Sequence, residues 1–195
     1  MAVPDPKETL HRYLRVVREA LLWKLDGLSE YDVRRPLVPT GTNLLGLVKH
    51  LAAVEIGYFG DTFGRPFDNP PSWLLEWSDA DMWATAEESR EEILDLYARA
   101  TAHADATITA LPLDAVGRVP WWREDRAEVS LHQVLVHQIA ETNRHAGHAD
   151  IIRELIDGAV GLREDNDNMS FDATEQQAFY EKVEAAARQA GGLTR

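Results

Sequence analysis

The sequence has 195 residues and a formal net charge of −13 at pH 7, from 33 acidic and 20 basic residues. This length fits one domain, or one domain with a tail, at about 150 residues per domain. The negative charge argues against a nucleic acid or an anionic membrane as partner. The sequence has no cysteine, which excludes disulfides, a cysteine nucleophile and cysteine-ligated zinc. Any thiol chemistry must therefore use a thiol supplied from outside.

Targeting segments are not evident. Residues 1–8 lack the cationic head and apolar core of a secretory signal. No uncharged stretch approaches the roughly 18 residues that a membrane span needs. We therefore expect a cytoplasmic protein that does not enter a membrane.

Apolar residues recur at helical spacing in four long segments, with charged residues between them. Prolines and glycines in the connecting segments interrupt the helical pattern. No segment alternates apolar and polar residues over the length of a strand. The predicted helices span residues 7–28, 44–63, 85–111 and 131–156.

This pattern predicts an all-α fold, a four-helix bundle with long crossover loops. Thr42 or Asn43 is expected to cap the second helix, and Ser130 the fourth. Asp172 and Glu175 have the spacing of a capping box that opens an additional C-terminal helix. We expect the bundle to occupy residues 1–161, and residues 162–195 to form a polar linker and a helical appendage.

The two long loops are rich in tryptophan. Such loops near a bundle end often bind ligands, so their aromatic side chains are candidates to line a substrate cleft. Closure of the core is the competing interpretation for each of them. The tryptophans considered as candidates are Trp73, Trp77, Trp121 and Trp122.

The fourth predicted helix carries polar residues on its apolar side. Glu141, His145 and His148 fall within an arc of roughly 60° at about 100° per residue. Burial of an unpaired carboxylate there would cost several kcal/mol (about 2–7 for a neutral polar group, more for a charge), so it needs a partner. The same arc is expected to hold three core residues, Val134, Ile152 and Leu155.

His50 falls within the apolar stripe of the second predicted helix. Two imidazoles and one carboxylate are the ligands of a catalytic zinc site and also suit nickel or iron. A metal-free network of buried Glu and His side chains satisfies the same polar groups, and the pattern of residues leaves both interpretations open.

Two motifs carry a family resemblance. Residues 39–50 (PTGTNLLGLVKH) and residues 144–150 (RHAGHAD) resemble the DinB-like superfamily, and within it a mini-circle-protein-like branch. The glutamate at position 141 is similar to that of relatives of the mycothiol-dependent maleylpyruvate isomerases. The resemblance covers about residues 7–161.

The resemblance implies a four-helix bundle that holds a divalent metal, zinc or nickel, on His50, Glu141 and His145. Several members of the superfamily use the metal to activate a low-molecular-weight thiol such as mycothiol or bacillithiol. A metal-coordinated thiol loses its proton near neutral pH, which suits a protein without cysteine. His148 departs from the common pattern and is interpreted as a fourth ligand, a group behind the ligands or, as a catalytic residue, a proton carrier.

The predicted function is a metal-dependent enzyme that activates an external thiol or water for transfer to, or isomerisation of, a small-molecule substrate. The alternative is a noncatalytic stress protein that binds a metal or a small molecule. The family habit also predicts a homodimer.

Other polar residues have simpler interpretations. His137 is expected to make a core or interhelix contact, and Glu55 to be a solvated or ion-paired surface residue, since it faces about 140° away from His50. Arg123 and Arg144 could clamp a substrate carboxylate, but surface salt bridges are the favoured interpretation.

Overall fold

The structure is a computed structural model, and it describes residues 4–75, 79–164, 166–167 and 172–193. These residues are mostly helical, and the predicted all-α class is confirmed. No helix among them is both long and apolar enough to cross a bilayer. The α-helices are α1 (Pro6–Trp23), α2 (Glu30–Arg34), α3 (Leu44–Phe59), α4 (Arg90–Ala110), α5 (Leu131–Asp157) and α6 (Ala173–Ala190).

Four of these helices, α1, α3, α4 and α5, form the bundle. Helix α3 packs against α4 and α5, and α1 packs against α5. Two clusters of buried apolar side chains fill the interior, one around Leu47 and Tyr97 and the other around Phe59 and Leu131. Helix α3 is buried on most sides, so a polar residue on it must find its partners inside the fold.

The predicted helix caps are present in the structure. Asn43 accepts a hydrogen bond from the amide of Gly46 at the start of α3, and Ser130 accepts from Gln133 at the start of α5. The capping box of Asp172 with Glu175 opens α6 as predicted. None of the residues of α6 is buried.

Three helix ends differ from the prediction. Helix α1 ends at Trp23 and not at residue 28, because the chain turns through Gly27 with φ +73°. Helix α3 ends at Phe59, and a 3₁₀ turn at Asp61–Phe63 continues the apolar pattern. Helix α4 begins five residues later than predicted, because Ser89 forms its own capping box.

Two short strands were not predicted. Strands β1 (Val116–Arg118) and β2 (Glu128–Ser130) pair antiparallel, with Gly117 opposite Val129. Three residues are too few to show a period of two. A cluster of buried side chains including Val119 and Val129 anchors this hairpin at the start of α5.

Two side chains lie elsewhere than expected. Leu155 was predicted to face the core, but it is 62% exposed, because it lies with Ile151 on the outer side of α5 while Ile152 and Ile156 pack against the core. Glu55 was predicted at the surface, and this is wrong. Glu55 is 1% exposed and accepts two hydrogen bonds of 2.7 Å from Arg18.

Candidate metal centre and adjoining cavity

Three polar side chains from two helices converge inside the bundle. His50 comes from α3, and Glu141 and His145 come from α5, with one ligand atom of each lying within 4.8 Å of the others. Oε1 of Glu141 lies 2.9 Å from Nε2 of His145 and 3.6 Å from Nε2 of His50. Ligands of one tetrahedral zinc ion, each at about 2.0–2.1 Å, lie roughly 3.3 Å apart. These separations suit a single divalent cation.

A glycine allows a loop to approach this cluster. Gly46 lies one helical turn before His50, and a β-carbon at Gly46 would collide with the carbonyl oxygen of Met82. The side chain of Asn43 donates to that same carbonyl at 3.3 Å. This close approach of the loop backbone to α3 positions the preceding residue of the loop, Asp81, against His50.

Asp81 fixes the orientation of His50. Its Oδ2 lies 2.7 Å from Nδ1 of the imidazole, which places the ring proton on Nδ1 and leaves the Nε2 lone pair facing Glu141. A carboxylate behind a histidine ligand is the usual support of a metal site. The sequence analysis did not identify Asp81, because it lies in an irregular loop with no periodic signal.

The electrostatics of the cluster favour one charged and one neutral ligand on α5. Burial opposes the negative charge of Glu141, but the hydrogen bond and charge of His145, together with His50, lower its pKa. Burial and the neighbouring His50 lower the pKa of His145. Both groups are therefore in the protonation states that bind a metal.

His50 has the opposite tendency. Burial alone would lower its pKa, but the hydrogen bonds and negative charges of Asp81 and Glu141 outweigh burial and raise it. A proton therefore competes with a metal ion for His50 more strongly than for a free imidazole, and metal binding becomes tighter as the pH rises.

The three residues fit a divalent ion chemically. The donor set is two imidazole nitrogens and one carboxylate, which leaves a coordination position open for a substrate. Nδ1 of His145 is buried and has no hydrogen-bond partner in the described part of the chain. The tautomer of this ring is therefore set at Nε2, the nitrogen that lies 2.9 Å from Glu141.

A cavity of about 500 Å³ opens beside His50. Its wall includes apolar and aromatic side chains from α3, from the loop after α3 and from the hairpin. His50 and Asp81 also line it, so the cavity borders the candidate metal centre at His50. The main wall residues are Val54, Tyr58, Trp73, Leu74, Leu75 and Trp121.

A family model described as Mycothiol-S-transferase matches residues 9–158. The chain belongs to the Mycothiol-S-transferase family. This family is DinB-like, so the predicted resemblance is confirmed. The matched residues contain the whole cluster and the cavity, and membership points to a thiol-related enzyme.

Among solved structures, a crystal structure of a conserved protein from Enterococcus faecalis matches with 17% identity and a TM-score of 0.57. The match covers 80% of this chain and 99% of that protein. At this identity the likeness concerns the fold alone. No curated protein matches the sequence significantly.

In this Mycothiol-S-transferase family member, His148 lies at the edge of the cluster. Its ring centroid is 5.4 Å from that of His145, and the side chain is exposed. His148 is not among the three residues whose ligand atoms converge. Its position suits contact with solvent more than a place within the cluster.

The remaining polar candidates lie outside the cluster. His137 packs against the ring of Tyr58 at 4.7 Å, which is the interhelix contact that was favoured. Arg123 pairs with Asp125 at 3.2 Å at the surface, and Arg144 is exposed. Neither arginine lines the cavity.

The tryptophans divide between the two interpretations. Trp73 and Trp121 line the cavity. Trp122 packs behind the wall, where its indole donates to the hydroxyl of Tyr58 at 3.0 Å. Trp77 lies outside the described residues.

Proposed function

We propose that this protein is a metal-dependent S-transferase that joins a low-molecular-weight thiol, mycothiol in the first instance, to an electrophilic small molecule. The observation that carries the proposal is the convergence of His50, Glu141 and His145 beside an apolar cavity. Family membership supports the thiol, and the absence of cysteine from the sequence leaves the thiol to come from outside.

His50, Glu141 and His145 would hold the cation, with zinc or nickel suited to this donor set. A divalent ion bound there would lower the pKa of a coordinating thiol, so that the thiolate is available near neutral pH. Asp81 keeps Nε2 of His50 directed at the site. The cavity holds the acceptor beside the sulfur and excludes water from it.

The transfer balances without an oxidant or a reductant. A sulfur electron pair forms the new carbon–sulfur bond, and the leaving group departs with the electrons of the bond that breaks. The thiol proton must reach solvent, and we assign this transfer to His148, which is exposed and adjacent to His145.

The test is conjugation measured against metal content. Protein purified without an affinity tag is incubated with mycothiol and a neutral benzylic bromide, and the thioether is quantified by mass spectrometry. We expect a rate above the uncatalysed one that disappears on chelation and in His50→Ala. His132→Ala is the matched control, because His132 is an exposed residue of α5.

Two results would contradict the proposal. Conjugation that persists in metal-free protein would remove the role of the cation. Tight binding of metal and thiol with no conjugate for any acceptor would identify the noncatalytic binding protein instead. Parallel assays with bacillithiol, glutathione and coenzyme A show which thiol the protein prefers.

The role of His148 has its own test. His148→Gln should retain the bound metal and lose about 10²-fold in rate, the lower end of general acid–base contributions. Imidazole in the buffer should restore part of this rate, since it can carry the same proton. An unchanged rate would assign His148 no part in proton transfer.

A further inference from the structure

Most of the wall of the cavity beside His50 is apolar or aromatic. Trp73, Leu74 and Leu75 form one side, and Trp121 and Val54 belong to the other elements that line it. Mycothiol is a polyhydroxylated thiol, and its hydroxyl groups would lose their hydrogen bonds to water against such walls. An apolar acceptor loses nothing comparable and gains from burial.

The position of Trp121 is set by its neighbours. Its ring rests on Gly57, where a β-carbon would lie 2.7 Å from the far edge of the indole. Tyr58 meets the same ring edge-on, with centroids 5.1 Å apart. The hydroxyl of Tyr58 is in turn held by Trp122. This wall of the cavity is therefore built in advance of any ligand.

Within the part of the chain that the structure describes, two acidic side chains line the cavity, and the cationic side of the cavity is confined to His50 and the metal ion it would hold. Asp61 and Asp81 contribute carboxylates, and no lysine or arginine is among the described lining residues. Asp81 is engaged by His50. Asp61 is exposed and has no hydrogen-bond or ion-pair partner among the residues that the structure describes. At the Asp61 side of the cavity, an anionic acceptor would therefore face a carboxylate that has no ion pair with any described residue and only the electrostatic influence of His103.

We infer that the cavity selects apolar acceptors that are neutral or cationic over anionic ones, and that Asp61 sets this charge preference. This inference rests on the proposed function and adds the class of the second substrate. Asp61 acts on the substrate by charge at the mouth of the cavity, whereas Asp81 acts on His50.

The experiment compares three para-substituted benzylic bromides that share one reacting carbon. The substituents are a carboxylate, its neutral methyl ester and a trimethylammonium group, and each enzymatic rate is divided by its uncatalysed rate. We expect the carboxylate compound to be the poorest acceptor in kcat/KM. Asp61→Asn should raise its kcat/KM by about fivefold relative to the ester, the effect of one charge at about 4 Å in water.

Controls separate charge at the cavity from net charge. Asp26→Asn removes an equal charge from an exposed position that does not line the cavity, and it should leave the three ratios unchanged. Metal content and circular dichroism establish that Asp61→Asn keeps the site and the fold.

Failure of the charge preference can be distinguished from failure of the proposed function. Equal acceptor ratios, or ratios that Asp61→Asn does not change, overturn the inference and leave the transferase intact. If no acceptor is conjugated, the proposed function fails, and the charge preference is then decided by binding of unreactive toluene analogues. Their binding is read from the fluorescence of the wall tryptophans, and equal affinity for the carboxylate and ester analogues would overturn the inference.

Discussion

Replacement of Asp81 should weaken metal binding without removing a ligand. Asp81 and His50 are 2.7 Å apart, and their side chains are 25% and 19% exposed. Two unit charges 4 Å apart attract by about 1 kcal/mol in bulk water and about 4 kcal/mol at an effective dielectric constant of 20. A partly exposed pair lies between these limits.

Asp81→Asn retains a hydrogen-bond acceptor for Nδ1 and removes the charge. We therefore expect a loss of tenfold to hundredfold in metal affinity, about 1.4–2.7 kcal/mol, as is typical for groups behind metal ligands. Asp81→Ala removes the hydrogen bond as well and should lose more. Asp79→Asn, an exposed change in the same loop, should have no effect.

The assay is competition for zinc against a chromophoric chelator at several pH values. Because Asp81 raises the pKa of His50, its removal lowers that pKa and allows metal to compete with fewer protons. The loss of metal affinity caused by Asp81→Asn should therefore be larger at pH 8 than at pH 6. An affinity within twofold of wild type at pH 8 would refute the reasoning.

Further predictions concern stability and the cavity wall. Glu55→Gln should destabilise the fold by about 1.5–3 kcal/mol in chemical denaturation, because buried Arg18 loses its bidentate partner and keeps only the partly exposed Asp105; a loss below 1 kcal/mol would contradict this. Burial would raise the pKa of Asp105, but the hydrogen bonds and charges of Arg18 and His11 outweigh burial and lower it. The ionised Asp105 therefore stabilises the fold above about pH 4, and this stabilisation is lost as the pH falls further. Acid unfolding of Asp105→Asn should show a weaker pH dependence, and an identical curve would contradict it. Gly57→Ala should displace the cavity-wall indole and raise KM for the acceptor. Gly147→Ala, in open space on α5, should instead add up to about 1 kcal/mol of stability.

Periodicity predicted the four bundle helices because apolar residues recur at helical spacing over several turns in each of them. It did not predict their ends where a local group decided them, as with Gly27 after α1 and Ser89 before α4. The hairpin was missed because its strands are too short for alternation. Glu55 was misplaced because helical angles show which way a side chain points, and not that Arg18 of another helix meets it.

The candidate site likewise contains residues that the sequence predicted and residues that only the tertiary structure shows. Spacing along α5 placed Glu141 beside His145, the apolar stripe of a distant helix singled out His50, and family resemblance joined the three as a ligand set. Asp81 and the cavity depend on the approach of a loop to Gly46, which is a tertiary contact without a sequence period. The role of each residue in metal binding and transfer stays a prediction.

Lys49 contacts both the wall of the cavity and the segment next to the candidate metal centre. Its buried ammonium contacts Glu88 at 2.7 Å and the carbonyl of Trp83 at 3.1 Å, and it lies 4.5 Å from the ring centre of Trp73. One lysine thus contacts both a cavity-lining indole and the segment that carries the carboxylate behind His50. We expect loop substitutions that broaden the range of acceptors to alter metal retention as well, so the two traits evolve together.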